Sequence, residues 1–591
     1  MKDQGAGGNM LSPSLQPTAS RIWRKHLATA DRVQREDGTS GANASTSSLA
    51  SGSEENEVSS VLRLRPKRSL DLTRTDGWDR ETRRSLDLSA VGAAKRAKLE
   101  TTTTTTTSST SVESESPSEQ PLALLSQGEL ERVMGFLPTD ALASLHCTCK
   151  YFARAGATEH VAKVKVLDNP AWRGLEPKQG ESWLSLLRFL AAGDAARRTE
   201  KLVGLGSYHT ALLNSSDGQI STCGRGFHGQ LGAGDYENAS VRGAIALRDG
   251  PGSDGPEMRA VAVACGSSHN AAIASNGALF TWGLASSGEL GHGGWTPIEL
   301  NVPRSLSCLS KVRVVEVSCG ANHTAAVGAC GGLWTCGRGR NGQLGHGMLH
   351  DEGPMKRVEA LDRHGPVLRA AAGGTHTACI VEGGRVFTWG NDLSGQLGHG
   401  QDGPEGREPE RSNVFRSVAL PQEVLSLRPK LGANDPERVV HVSLGSRHTV
   451  TCTAAGTLLV WGDNSQGCLG LGDNLKRQKP ARVRLQGRCV HACAGGAHTA
   501  ALVLDPATRG TALLTSGCNS YGQLGLGDRQ NRNAFVEVKM FRGANVESVS
   551  LGESSSSAVL ADGSLYLWGR GELGQLGTGD DRSWFRPRKV L

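Results

Sequence analysis

The chain is poor in aromatic residues (4%), close to charge balance (+7 over 591 residues), and without a Cys-x-x-Cys pair among its 14 cysteines. Each shortage excludes a class. No apolar run is long enough to cross a bilayer as a helix, and no secretory signal opens the chain, so a soluble intracellular protein, nuclear or cytoplasmic, is expected. A net charge this small and dispersed does not by itself argue nucleic-acid binding. The cysteines show no metal-ligand spacing; Cys223, Cys336, Cys265 and Cys319 recur at matching places and read as small buried apolar residues in a reducing compartment. No Ser/His/Asp or Cys/His set and no recurring pair of carboxylates suggests catalysis, so no catalytic centre, cofactor, metal or small-molecule ligand is expected.

What the chain has is glycine, 77 residues of it, placed in a repeat. The clearest copy is Gly320-Ala-Asn-His323-Thr324, a strand-like run to Trp334-Thr-Cys-Gly337, then Gly342-Gln-Leu-Gly345-His-Gly347. The histidine recurs at His209, His269, His323, His376, His448 and His498, with Ser555 in the seventh copy. The glycine closing the strand falls at Gly224, Gly283, Gly337, Gly390, Gly462, Gly517 and Gly569. Five residues after each comes the first glycine of Gly-x-Leu-Gly-x-Gly, and this offset never varies, so insertions elsewhere in the period belong to loops. Within one unit, Ala278-Leu-Phe-Thr-Trp282 alternates faces as a half-buried strand does. Thr324–Val327 and Val314–Val317 supply two more strands, and Gly331-Gly332 a hairpin turn. One small antiparallel sheet per repeat, seven times over, predicts a mainly β fold: a seven-bladed propeller over residues 201–591. The histidines, one per blade, are expected to satisfy backbone groups within their own sheets. The Gly-x-Leu-Gly-x-Gly segments lack the following helix that a nucleotide-binding loop requires, and are expected to be turns.

The cassette resembles the repeat of the regulator of chromosome condensation family, whose fold is a seven-bladed propeller. The final Phe585-Arg-Pro-Arg-Lys-Val-Leu591 is similar to the segment that precedes the cassette elsewhere, such as Gln478–Leu485, which predicts that the C-terminus closes the ring against the first blade near Leu202.

Ahead of the ring, residues 1–120 are rich in Ser, Thr, Gly and charge and are expected to be a disordered tail. Within it Arg83-Arg84 and Lys95-Arg96-Ala-Lys98 are spaced like a bipartite nuclear-import signal. Residues 121–158 carry an apolar helical stripe, Leu130, Val133, Met134 and Leu137, a break at Pro138, and a second stripe including Leu142 and Leu145. This hairpin resembles an F-box, which docks an Skp-type adaptor of a cullin–RING ubiquitin ligase; the bland alternative is a helical cap on the propeller. Residues 159–200 read as a helical connector with an apolar helix over Glu181–Leu190 that Ser182 can cap. The long fourth interval carries a polar loop, Gln401–Arg411, a place for partner contacts.

The resemblances imply three roles for such a ring. One is guanine-nucleotide exchange on a Ran-type small GTPase, with chromatin association. A second is the plant UV-B photoreceptor, which uses tryptophans in Gly-Trp-Arg-His-Thr motifs; here the fifth copy reads Gly445-Ser-Arg-His-Thr449, which removes the chromophore. The third is a protein-binding scaffold, and the F-box-like hairpin favours it: a substrate receptor whose propeller holds the target.

Overall fold

The computed structural model describes residues 156–169, 175–196, 202–248, 255–293, 299–400, 417–430, 435–504 and 510–590, with Met134, Gly135, Leu137, Thr139, Leu142 and Trp172. These residues form seven four-stranded antiparallel sheets, each a simple meander, preceded by helices α1 (Ala157–Asp168) and α2 (Trp183–Ala196). The sheets are the blades of a propeller. Blade 3 is representative: Val314–Cys319, His323–Gly328, Leu333–Gly337 and Glu352–Arg357 run from the channel outward. The first strands of neighbouring blades touch one another around the channel, and the contact between Val203–Leu205 and Val546–Leu551 closes the circle.

Ring closure differs from the expectation. Trp584–Lys589 pairs with Leu565–Gly569 of its own blade and is the fourth strand of blade 7, just as Arg477–Arg482 is the fourth strand of blade 5. The repeat unit therefore ends with this segment, and no strand is exchanged across the seam. The C-terminus still touches blade 1, because Arg242 donates from Nη2 to the Val590 carbonyl at 3.1 Å.

The cassette's spacing is explained by how one blade is locked to the next. In every Gly-x-Leu-Gly turn the carbonyl of the second residue points into the following blade. There it accepts a hydrogen bond from the residue after the histidine: Thr324 to Glu289 at 2.7 Å, Thr377 to Gln343 at 2.7 Å, Thr449 to Gln396 at 2.7 Å, Ser556 to Gln523 at 2.8 Å. The same carbonyl also accepts from the residue before the strand-closing glycine. That donor is an indole in four blades, Trp282, Trp389, Trp461 and Trp568, at 2.9–3.1 Å. In the others Cys336, Cys223 and Ser516 take its place, at 3.4, 3.7 and 3.2 Å. The cysteines at this place are thus buried, as expected, and burial pushes the Cys223 thiol up to about 12. Cys265 and Cys319, expected to be buried, are only half-buried, because they end first strands at the channel wall.

Two glycines show why no other residue serves. Gly337 has φ 108°, and a Cβ on Gly320 would run into the Gly373 carbonyl of the next blade and the ring of its own His323.

The histidines also bind across blades, contrary to the expectation that each serves its own sheet. Nε2 of His269, His323, His376 and His448 lies 2.9–3.1 Å from the threonine hydroxyl of the following blade, His209 lies 2.8 Å from Asn270 Oδ1, and His498 lies 3.0 Å from Ser556 Oγ. Since each hydroxyl gives its one proton to the turn carbonyl, the imidazole must donate, which fixes the Nε2–H tautomer. A relay results, from imidazole to hydroxyl to carbonyl. Ser555 stands in the seventh position, so the seam between blades 7 and 1 keeps only the Thr210–Gln575 half, at 2.6 Å. Burial holds all six imidazoles neutral, His209, His323 and His448 at about 4 and His269, His376 and His498 at about 3.

Replacing Thr449 by Val leaves the His376 Nε2–H buried without an acceptor. This should lower unfolding stability by about 1–3 kcal/mol in chemical denaturation, and a change below about 0.5 kcal/mol would contradict the relay. The histidines also set a pH dependence. In the unfolded chain each titrates near 6.5, but in the ring only near 3–4, so the unfolded chain takes up protons first. Stability is therefore complete above about pH 6.5 and falls as the pH drops towards 4. Denaturation midpoints at pH 7.5, 6 and 5 should decline in that order; equal midpoints would contradict burial of neutral imidazoles.

Candidate protein-interaction surface

Because each blade is a four-strand meander, the first–second and third–fourth connections share one face of the ring, and the second–third and interblade connections share the other. The helices sit on the second face. The connector forms two helices where one was expected: α1 already begins at Ala157, across the boundary drawn at 158, and α2 starts at Trp183 rather than Glu181. Ser182 does cap α2, its Oγ accepting the Ser185 N–H at 3.1 Å. Leu184, Leu186, Leu187 and Leu190 of α2 pack on Val161, Ala162 and Val166 of α1, and the cluster reaches Ala329 of blade 3.

Arg313 fastens this module to the ring. It lies between blades 2 and 3, only 8% exposed, with Nε 2.9 Å from Glu181 Oε2 and its other nitrogens donating to the Glu176 and Asn276 carbonyls at 2.9 and 3.2 Å. Its guanidinium stacks 5.4 Å from the Phe189 ring, and Lys178 adds a bond to the Ser310 carbonyl at 3.1 Å. Sequence reasoning missed Arg313, because in Lys311-Val-Arg-Val314 it looks like any solvated basic residue of a strand.

Of the residues assigned to adaptor docking, Met134 and Leu142 are 2% and 0% exposed within the α1–α2 cluster, and Leu137 packs against it. Leu130, Val133, Pro138 and Leu145 lie outside the described residues, as do the nuclear-import residues Arg83, Arg84, Lys95, Arg96 and Lys98. The three that are described serve the module's own core.

The opposite face carries the channel mouth, a cavity of about 90 Å³ walled by the glycine turns, among them Gly206, Gly266, Gly320, Gly373, Gly445 and Gly495. It is far smaller than the roughly 300–1,000 Å³ of a ligand pocket. The Gly-x-Leu-Gly turns on this face are turns, as expected, and offer no phosphate cradle, since their N–H groups are used internally: Gly342 donates to the Gly339 carbonyl, Gly345 to that of Gly342, and Asn341 to Gln343 Oε1. The long insertion joins the third and fourth strands of blade 4 on this face, and its residues 401–416 lie outside the described set. Among the described residues no helix is long and apolar enough to cross a membrane. No cluster of three or more His, Cys, Asp or Glu is placed to hold a metal there either.

Comparison with known proteins fits this architecture. The RCC1-like domain family matches residues 184–505, and the regulator of chromosome condensation (RCC1) repeat matches residues 512–559 and 562–591. The ultraviolet-B receptor UVR8 of Arabidopsis thaliana is 30% identical over 389 residues, covering 65% of this chain and 80% of that protein. The human E3 ubiquitin-protein ligase HERC2 is 32% identical over 341 residues, half of this chain but 7% of that protein. Among solved structures, Prp20p of Saccharomyces cerevisiae shares the fold with a TM-score of 0.52 at 20% identity, covering 68% of this chain and 89% of that one. The locked seven-blade ring and these matches lead to one conclusion: the chain belongs to the RCC1-like propeller family.

Proposed function

We propose that the chain is a non-enzymatic interaction scaffold that holds a protein partner on the channel-mouth face, with the helical module serving as its attachment to a larger assembly. The observation that carries this reading is the Arg313–Glu181 anchor at 2.9 Å, which fixes the helices on one face and leaves the mouth face free of them. A module held rigidly to a propeller suits a receptor that must present its target at a fixed distance. The finer form of the proposal is a substrate receptor of a cullin–RING ligase, with the F-box-like segment contacting an Skp-type adaptor. Since Met134, Leu137 and Leu142 serve the core, that contact falls to Leu130, Val133, Pro138 and Leu145.

The second reading is nucleotide exchange on a Ran-type GTPase or chromatin association. It is favoured by the shared fold with Prp20p, whose structure is described with its binding to Gsp1p and histones. At 20% identity that likeness supports the fold, and the activity has to be measured on this chain.

Affinity purification of the full chain should recover an Skp-type adaptor and a cullin. Leu130→Asp combined with Val133→Asp should abolish both without moving the thermal unfolding midpoint of the propeller. An eluate without adaptor ends the ligase form. Acceleration of nucleotide release from a Ran-type GTPase would install the exchange reading in its place, and a release rate equal to the spontaneous one removes it.

A further inference from the structure

Five side chains on the mouth face form one continuous stack across the seam that closes the ring. Tyr521 of blade 6, Arg570 of blade 7, and Tyr208, Arg225 and Phe227 of blade 1 alternate aromatic ring and guanidinium. The Arg570 guanidinium lies 4.6 Å from the Tyr521 centroid and 5.0 Å from that of Tyr208; Arg225 lies 5.8 Å from Tyr208 and 5.4 Å from Phe227. All five leave the ring from first–second or third–fourth connections, beside the channel mouth.

The two arginines are not equivalent. Arg570 has a carboxylate, Glu572, at 2.8 Å. Arg225 has none within ion-pair distance among the described residues, and its Nε is buried without a hydrogen-bond partner. A guanidinium already placed over aromatic rings loses little freedom on binding, and its planar fork matches a carboxylate. Beside it Phe227 is 54% exposed, a large aromatic left facing water. Arginine and aromatic side chains adjacent in a preorganised patch are the residue types that dominate interface energies.

The neighbourhood decides between anionic partners. Asp235 and Glu237, in the same connection as Arg225, and Glu572 are all exposed carboxylates. Against two arginines they leave no basic field to attract a chain of phosphates. A protein segment carrying a single carboxylate needs no such field, because short-range pairing with Arg225 and apolar contact with Phe227 can hold it. We propose that the Arg225 stack is the docking site for a partner-protein segment that presents one Asp or Glu next to an apolar side chain, the carboxylate pairing with Arg225 and the apolar group covering Phe227. This rests on the reading of the mouth face as the partner face.

The test uses the full chain and a fluorescein-labelled nonapeptide with a central Glu between Phe and Leu in Gly/Ser flanks. Its Gln analogue and a single-stranded thymidine oligonucleotide serve as comparisons, all followed by fluorescence anisotropy up to about 1 mM. The Glu peptide should bind, and the Gln analogue and the oligonucleotide should bind at least about tenfold more weakly. Arg225→Ala and Phe227→Ala should each weaken the Glu peptide about tenfold, with unchanged thermal midpoints. Arg225→Lys should fail to restore binding, because lysine lacks the fork. Arg428→Ala, in the connection from blade 4 to blade 5 on the other face, should change nothing. No binding by the Glu peptide, binding indifferent to Arg225→Ala, or preference for the oligonucleotide each overturns the proposal. If binding survives Arg225→Ala but is lost in Arg447→Glu, elsewhere on the same face, the stack is wrong while the mouth-face reading stands.

Discussion

One backbone carbonyl per blade, that of the second residue in each Gly-x-Leu-Gly turn, carries the rest of the structure. It leaves its own sheet and accepts twice from the next, once from a hydroxyl or amide and once from an indole, thiol or hydroxyl. A buried carbonyl is costly to leave unpaired, so this arrangement ties the stability of each blade to the correct seating of its neighbour. The histidine extends the link by donating to the same hydroxyl, which turns two bonds into a relay and requires a neutral ring. The ring is thus held by repeated short-range interlocks between blades, in the manner of other repeat proteins, with no strand exchanged at its seam.

That economy has a consequence for function. The residues that recur are consumed by folding: the glycines by turns and close approach, the histidines and threonines by the relay, the tryptophans by the carbonyls they cap. What remains for recognition is what varies from blade to blade, carried on loops that the interlocks hold rigid. The two faces are then differentiated by single substitutions. Arg313 turns one connection between blades 2 and 3 into a socket for the helices, and Tyr208, Arg225 and Phe227 give the other face an aromatic and cationic stack at blade 1.

The blades were legible in the sequence because their signals are local and repeated. Alternation marked Ala278–Trp282, found as the strand Leu279–Leu284, and the invariant five-residue offset marked the turns. Partners across blades were not legible, since His323 and Thr377 are 54 residues apart and only the closed ring brings them to 2.9 Å. The same holds for the C-terminal strand, whose likeness to Gln478–Leu485 was visible while its place as the end of a blade depended on pairing. The apolar stripe through Met134 and Leu142 announced a buried face but not what buries it, and α1 and α2 do. Arg313 and Arg225 gave no signal, because an arginine's role is set by what stands around it.

The relay is tested most directly by a double-mutant cycle between His323 in blade 3 and Thr377 in blade 4, with unfolding free energy measured for the parent, His323→Ala, Thr377→Val and the double variant at pH 7.5. Direct bonding across the blades predicts that the double variant loses less than the sum of the single losses, with a coupling of about 1 kcal/mol or more. Losses that add within about 0.5 kcal/mol would show that the two residues act independently and that the blades are joined by packing alone.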